Sequence, residues 1–558
     1  MLDIQLKIHK TYYKEENIMK LAQKLLAAFL AVTLVVGMTA CSGGTDTTTS
    51  GGTPVSDTEL SSDSTDYSEK MTISYAAVAM VEGVDYNADE LSKHFQEKFN
   101  IEWEPIALTW DNWSEKIRIW INSNDMPDFV MWDFNYGDYI NYTEQGLIRQ
   151  LPDGWKDRWP NMAKVYKNTG IAEALEEKLG AGYMIPRVTY FDMPTTPLVT
   201  HTNLWIRQDW ARDVGFEVKD KYSPREIMEY ARLIKEADPV GNGKTLAIDM
   251  SPDNLANVFI SPYNVHYGDF YKDESGKYIW GAAEESTLEG LKLYSQAYRE
   301  GLINPDFFAL KNQEEVSHYE SGIAGVIFNQ GFGRSMKLTS ERYATNSGDN
   351  PKTDLHMAYL VGDDGKYYSK EISNYWTASI FSPTMEDAKF ERLMDLLEYS
   401  ASDEGQNLIR MGFEGKDWER GENGDITILR EKDSDGNFVN LDTIYPSRNP
   451  LYNNLSILPD GFGLVDPGLD KDIKEVVDAR FAGKQKDGCD QGTVALIDWD
   501  LNFFTSSNYE KTKYNYGEEF AKLIVMDGDI EDNWRAWVEE KTPQVSVVLD
   551  EINTELAS

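Results

Sequence analysis

The sequence predicts an α/β protein, and three observations carry the prediction. Short apolar runs of strand character alternate with amphipathic stretches of helical period through residues 71–415. That alternation belongs to folds in which helices cover a mostly parallel sheet. Acidic Gly turns, DESGK, GDDGK and DSDGN, separate several of the runs. No repeat of 20–50 residues is present, which sets solenoids and propellers aside.

Each element has its local reason. MTISYAAVAM is a short strand-like run. ADELSKHFQEKFN and NWSEKIRIWINS carry apolar residues at helical spacing, with Trp113, Ile117 and either Trp120 or Ile121 sharing one face. IEWEPIAL and MPDFVMW are strand-like runs beside them, and TPLVTHTNLWIR is an extended run further on. SPREIMEYARLIKEAD is a helix with a capping box: Ser223 caps, Pro224 takes the first position and Glu226 stands three residues after the cap. STLEGLKLYSQAYREG is a helix ended by Gly301, GIAGVIFN is a buried strand, and AKFERLMDLLEYSASDEGQNLIRMG reads as one long helix.

The N-terminal residues set the compartment. Residues 1–18 place charges and tyrosines ahead of a second methionine and read as an over-extended start. Residues 19–40 have Lys20 and Lys24, then the apolar run Leu25–Met38, too short to span a bilayer, which takes about 20 residues. Met38-Thr39-Ala40-Cys41 resembles a lipobox, so Cys41 is the expected lipidation site and residues 19–40 a lipoprotein signal peptide. Residues 41–70, rich in Ser, Thr, Gly and Asp, read as a flexible tether. The expected location is the extracellular face of the cell membrane, with contact to the membrane through the lipid alone.

Composition narrows the partners. The chain holds 54 basic and 94 acidic residues, a net charge of −40, which repels phosphate backbones and excludes nucleic acid as an expected partner. Of its two cysteines, acylation of Cys41 leaves Cys489 alone, so no internal disulfide is expected. Aromatic residues make up 12%, with 15 Trp and 31 Tyr. Most large aromatics are core, yet Trp and Tyr also stack on the apolar faces of sugars.

Catalytic and metal motifs are largely missing. HExxH, CxxC, GxSxG, GxxxxGK[ST] and GxGxxG do not occur, and His94, His201, His266, His318 and His356 are scattered singly. A pair of carboxylates for glycoside hydrolysis stays open, because acids are so numerous. One loop, Asp238-Pro-Val-Gly-Asn242-Gly-Lys-Thr-Leu-Ala-Ile-Asp249, matches a calcium loop at positions one, five and six. Val240 stands where an oxygen ligand is needed, and Asp249 where a longer Glu is preferred. The loop reads either as a Ca2+ site through Asp238, Asn242 and Asp249 or as a hydrogen-bonded turn without metal; no other cofactor is expected.

The ordered pieces INSNDMPDFVMW, EQGLIRQL, LWIRQDWARDVGFEV, SPREIMEYARLIKEADPVGNGK, EGLKLYSQAYREGLINPDFF, YESGIAGVIFN and YWTASIFSP resemble the family 1 extracellular solute-binding proteins, in particular the long LplA-like lipoproteins. The resemblance covers about 71–415 and is loose beyond. It implies a two-lobe periplasmic-binding-protein-like fold with a multi-stranded hinge and an interlobe ligand cleft. It assigns 71–198 and 375–445 to lobe 1, and 199–374 and 446–558 to lobe 2. The implied function is a lipid-anchored, monomeric receptor that binds a carbohydrate, an oligosaccharide above all, and delivers it to an ABC permease without making or breaking a bond. The alternatives are a lipid-anchored glycoside hydrolase and a peptide-binding or signalling receptor of the same fold.

The resemblance also implies ligand-binding residues. Trp132 and Asp133, with Tyr136 nearby, follow the first lobe's PD-strand. Asn329, Phe332 and Arg334 follow the GIAGVIFN strand, and Trp376 lies at the return crossing. A pyranose offers an apolar face to an indole and hydroxyls to planar partners such as Asp, Asn and Arg. Each has a plainer reading as well: Trp132 and Phe332 as core, Trp376 as hinge packing, and Arg187 and Arg207 as ion-paired structural groups.

Overall fold

The computed structural model describes residues 66–556, apart from 79, 111, 191–192, 311–312, 423, 425, 433–437 and 456–469. The start, signal and lipidation assignments, Cys41 included, lie outside the described residues, as does the tether up to residue 65.

The first stretch of chain supplies β1 (Met71–Val78), β2 (Ile101–Leu108), β3 (Phe129–Trp132) and β4 (Ile185–Val188), with helices between them. The second supplies β5 (Thr202–Arg207), β6 (Lys221–Tyr222), β7 (Leu246–Ile248), the hairpin of β8 (Phe270–Lys272) and β9 (Tyr278–Trp280), β10 (Ala324–Gln330) and β11 (Leu355–Leu360). β12 (Ser369–Lys370) and β13 (Tyr375–Phe381) follow, then the hairpin of β14 (Trp418–Arg420) and β15 (Ile426–Ile428), and last β16 (Val494–Ala495).

Two five-stranded sheets result, ordered β2-β1-β3-β13-β4 and β6-β11-β5-β10-β7. In the first, β1 runs parallel to β2 and β3, while β13 returns from far along the chain and inserts antiparallel between β3 and β4. The second repeats the device, with β5 antiparallel to both β10 and β11. Both sheets are covered by helices, so all four residues of β3 are buried.

Separate cores accompany the sheets. One gathers residues between Ile73 and Val188 and between Ala378 and Leu451. Two others draw on residues from Tyr190 to Tyr367 and from Val477 to Ile552. Among the described residues, the chain passes between the sheets twice. The two passages run side by side: Thr189 N–H donates to Asn374 O at 2.6 Å, and Ile372 N–H donates to Leu198 O at 2.9 Å. β12 pairs with β16, adding a third strand to this hinge.

Most of the expected elements form where their patterns place them, including the Ser223–Glu226 capping box on the helix Pro224–Ala237. Two readings change. AKFERLMDLLEYSASDEGQNLIRMG is two helices, Asp387–Ala401 and Asp403–Met411, because the Ser402 side chain accepts from Gly405 N–H and caps a new helix. Residues 66–70, read as the end of a tether, are tied down: buried Arg392 takes the Asp66 carbonyl at 2.6 Å, and Tyr67 O–H donates to Asp395 at 2.9 Å. A buried guanidinium needs acceptors for its donors, and these carbonyls supply them.

Candidate functional site

The site begins at an irregularity in β13. Its register with β4 shifts between Tyr375 and Ala378, and Thr377 there has φ +65° while almost fully buried. A β-branched residue in the left-handed region costs about 1–3 kcal/mol. The bulge re-aims the neighbouring side chains. Trp376 joins Trp110 and Trp113, at ring distances of 6.0 and 5.9 Å, and the Arg187 guanidinium sits 5.3 Å over its ring. Trp113 is anchored by its indole N–H on Met131 O at 3.0 Å. Trp110 is 52% exposed, so the cluster presents an aromatic surface to solvent.

Asp133 completes this surface, with its carboxyl close to the indole of Trp376. Its side chain is reachable by water yet crowded by protein, as in a concave wall. Desolvation raises its pKa, and the neighbouring Trp376 indole partly opposes the rise. Tyr136, at the start of the helix Tyr136–Glu144, shares a hydrogen bond between hydroxyls with Tyr375. Burial pushes the Tyr136 phenol up to about 12, so both hydroxyls stay protonated at neutral pH.

Tyr136 also marks the meeting of the lobes. Its ring lies edge-on to Phe503 at 5.2 Å and near Trp499 at 6.2 Å. The short helix Trp499–Phe503 turns Trp499 and Phe503 to the first core, while Leu501 and the following Phe504 join the second. The approach is close: a Cβ on Gly137 would stand 2.9 Å from Thr505 Cγ2.

A cavity of about 740 Å³ opens beside this junction, lined by Tyr136 and by residues of 266–272, 370–373 and 495–516. That size suits a small-molecule ligand. His266 and Tyr271 stack in parallel at 4.3 Å on its wall. Asp269, Glu371 and Asp498 face Lys272, Lys370 and Lys513, so opposite charges balance. Lys370 pairs with Asp269, and Tyr278 O–H donates to Asp498 at 2.7 Å.

The structure divides the expected ligand residues into three sets. Asp133, Tyr136 and Trp376 come together as described. Trp132 is corrected: it is fully buried, packed on Phe134 at 5.1 Å and Tyr142 at 5.8 Å, because every side chain of β3 faces a covered sheet surface. Asn329, Phe332 and Arg334 stand apart. Asn329 opposes Asn203 in the β10–β5 ladder, and Phe332 packs edge-on against His201 at 5.1 Å. Arg334 reaches Asp442 at 2.7 Å, and Asp442 also takes Arg448 at 2.7 Å. Trp110, Tyr375 and Trp499 are site residues that the sequence reading missed. Trp110 had a usable signal, since it follows a parallel strand of the first sheet, where crevices of open α/β sheets form. Trp499 had none, because it lies where the resemblance is loose.

The calcium-loop residues do not converge. Asp238 accepts from Gly243 N–H at 2.7 Å and from the Thr245 hydroxyl at 2.7 Å, bonds that hold its carboxyl below the usual range. Asp249 is fully buried; one oxygen takes Asn304 at 2.6 Å and the other His318 at 2.7 Å. With both oxygens engaged inward, Asp249 does not supply the twelfth-position ligand of the expected loop. Among the described residues, no group of three or more His, Cys, Asp or Glu is placed to hold a metal ion.

Two lobes, a hinge of crossing strands and a cavity where the lobes meet define the fold of two-domain periplasmic solute-binding proteins. Known proteins of that fold align over most of the chain. The Streptococcus pneumoniae ABC-transporter substrate-binding protein FusA, in complex with kestose, superposes with a TM-score of 0.61 at 16% identity, over 86% of this chain and 97% of its own. The alginate-binding protein AlgQ2, without calcium ion, superposes at 0.59 and 17% identity, over 88% and 98%. In sequence, the chain is 23% identical over 341 residues to lipoprotein LipO of Bacillus subtilis (strain 168), which covers 59% of this chain and 63% of LipO. No protein-family model matches. These relatives accord with the resemblance to family 1 solute-binding proteins read from the sequence. Among the described residues, no helix is long and apolar enough to cross a membrane.

Proposed function

We propose that this protein is a solute receptor for an uncharged or weakly charged oligosaccharide, bound between its lobes and handed to an ABC permease. The observation that carries this reading is the aromatic surface of Trp110 and Trp376 with Asp133 at its edge, close to a charge-balanced cavity where the lobes meet. Indoles pack the apolar face of a sugar ring, and the carboxylate accepts from its hydroxyls. The named ligands of structural relatives, kestose for FusA and alginate for AlgQ2, are both carbohydrates, and kestose is uncharged.

The mechanism is binding and closure. A ligand that touches both lobes stabilises the closed arrangement only through contacts the open one lacks. Tyr136, on the first lobe, and Trp499, on the bridging helix, are placed to make such contacts. Arg334 and Asp442 add a pair across the lobes. No bond is made or broken. The chain acts as a monomer held at the extracellular membrane face by a lipid on Cys41, as the lipobox implies and the LipO likeness supports.

Isothermal titration of the purified protein with neutral oligosaccharides tests the proposal. Saturable binding with the sugar recovered intact supports it. Cleavage of the sugar, or binding of peptides alone, would refute it.

A further inference from the structure

Trp376 stands where the sheet loosens its hold on β13. The register with β4 pairs Tyr375 with Val188 and Ala378 with Pro186, so two residues of β13, Trp376 and Thr377, stand where β4 has one, Arg187. On the other side, the ladder to β3 begins only at Ala378, opposite Trp132. A bulge of two residues against one interrupts the ladder and leaves the direction of the intervening side chains to their own contacts. The plane that the Trp376 indole offers to a ligand is therefore set by the groups around its ring.

Two rings and a cation lie around that indole. Trp110 is 6.0 Å away and tilted by 31°, and Trp113 is 5.9 Å away at 59°. Trp110 is 52% exposed, so solvent or a ligand can displace it. Arg187 is different. It is only 7% exposed, it belongs to a strand whose four residues are all buried, and its guanidinium sits 5.3 Å from the centre of the Trp376 ring. The ring quadrupole attracts a cation over its face, and the attraction grows when the cation is removed from water. A buried guanidinium on a rigid strand thus restrains the indole where the interrupted ladder does not.

We propose that Arg187 is a positioning residue for the carbohydrate site: it fixes the Trp376 indole in the plane that meets the sugar and acts through that ring alone. The inference rests on the carbohydrate reading above and adds to it the residue that sets the stacking surface. An arginine that only tied the framework together would support the fold without regard to Trp376, and this difference makes the role testable.

The test is a double-mutant cycle. Arg187→Met and Arg187→Gln are each made in the wild type and in Trp376→Ala. Affinities for maltotetraose, cellotetraose and nystose are measured by titration calorimetry, and the tryptophan bands are followed by near-ultraviolet circular dichroism. In the wild-type background, each folded Arg187 variant should weaken binding of the sugar that the wild type takes by about fivefold or more and should alter the tryptophan bands. In the Trp376→Ala background, neither readout should change further, because the ring on which Arg187 acts is gone. An equal loss in both backgrounds, or wild-type affinity in a folded Arg187 variant, refutes the positioning role and leaves the receptor reading standing. Failure of both Arg187 variants to fold also refutes it, since that would make Arg187 part of the framework. If the wild type binds none of the three sugars, the carbohydrate reading falls, and this role with it.

Discussion

Arg334 of the second lobe and Asp442 of the first meet at 2.7 Å, and Asp442 is held from its other side by Arg448. Burial pushes the Asp442 carboxyl up, but the charges of Arg448 and Arg334 outweigh it and leave the pKa lowered. A depressed carboxyl contributes stability above its unfolded value and loses it as pH falls through the folded value. The pair is therefore intact at neutral pH. A partly exposed pair of this kind is worth about 1 kcal/mol. Arg334→Ala should weaken sugar binding by about fivefold and enlarge the radius of gyration of the unliganded protein in solution scattering. Unchanged affinity and unchanged scattering would remove Arg334 from closure.

Trp376 is the residue most directly tied to the aromatic surface. Trp376→Ala should reduce sugar affinity by at least about tenfold, or about 1.5 kcal/mol, if the indole stacks on the ligand. Trp110→Ala should act in the same direction, since its exposed ring continues the surface. Titration calorimetry checks both, with circular dichroism confirming the fold. Wild-type affinity in both variants would place the ligand elsewhere.

Trp132 should behave in the opposite way. Trp132→Ala empties a fully buried site and should lower stability by about 3–5 kcal/mol. Trp132→Phe keeps most of the volume and should restore much of the loss while leaving sugar affinity near the wild-type value. A strong affinity loss in the folded Phe variant would return Trp132 to the ligand site.

The hinge carries a buried cation. Lys484 donates to Thr200 O and Thr202 O, both at 2.8 Å, and burial, with the charge of Arg480 behind it, lowers its pKa to about 7. The unfolded lysine titrates near 10.4. Between these values the unfolded chain holds more protons, so stability from this group should rise as pH increases from about 7 toward 10. His201 works in the same sense at lower pH, its pKa brought to about 3 by burial and by Lys484. Thermal unfolding across pH 7–10 should show the rise in the wild type and lose that component in Lys484→Met. Parallel curves for the two proteins would disprove a neutralising Lys484.

The elements of both lobes were legible because local chemistry fixes them. A capping box at Ser223, all-apolar β3 and the helical face of Trp113, Ile117 and Ile121 act within one or two turns of chain. Where a local signal was overlooked, the reading failed locally, as at Ser402, whose cap splits one expected helix into two.

The site was legible only in part. Asp133, Tyr136 and Trp376 were named by the family resemblance, and the structure brings these three side chains near one another. Which face of β3 carries Trp132 was not decided by local pattern, since both faces of that sheet are covered. Whether Asp249 turns to a metal loop or to His318 and Asn304 depends on partners 69 and 55 residues away. Local periodicity was enough for the α/β class, and the family resemblance carried by the ordered sequence pieces supplied the two-lobe arrangement. Tertiary contact alone chose the Trp110–Trp376 surface, the Arg334–Asp442 pair and the double-facing helix Trp499–Phe503. The reason is range: helix and strand signals act between neighbours in sequence, whereas a cleft is assembled from side chains hundreds of residues apart.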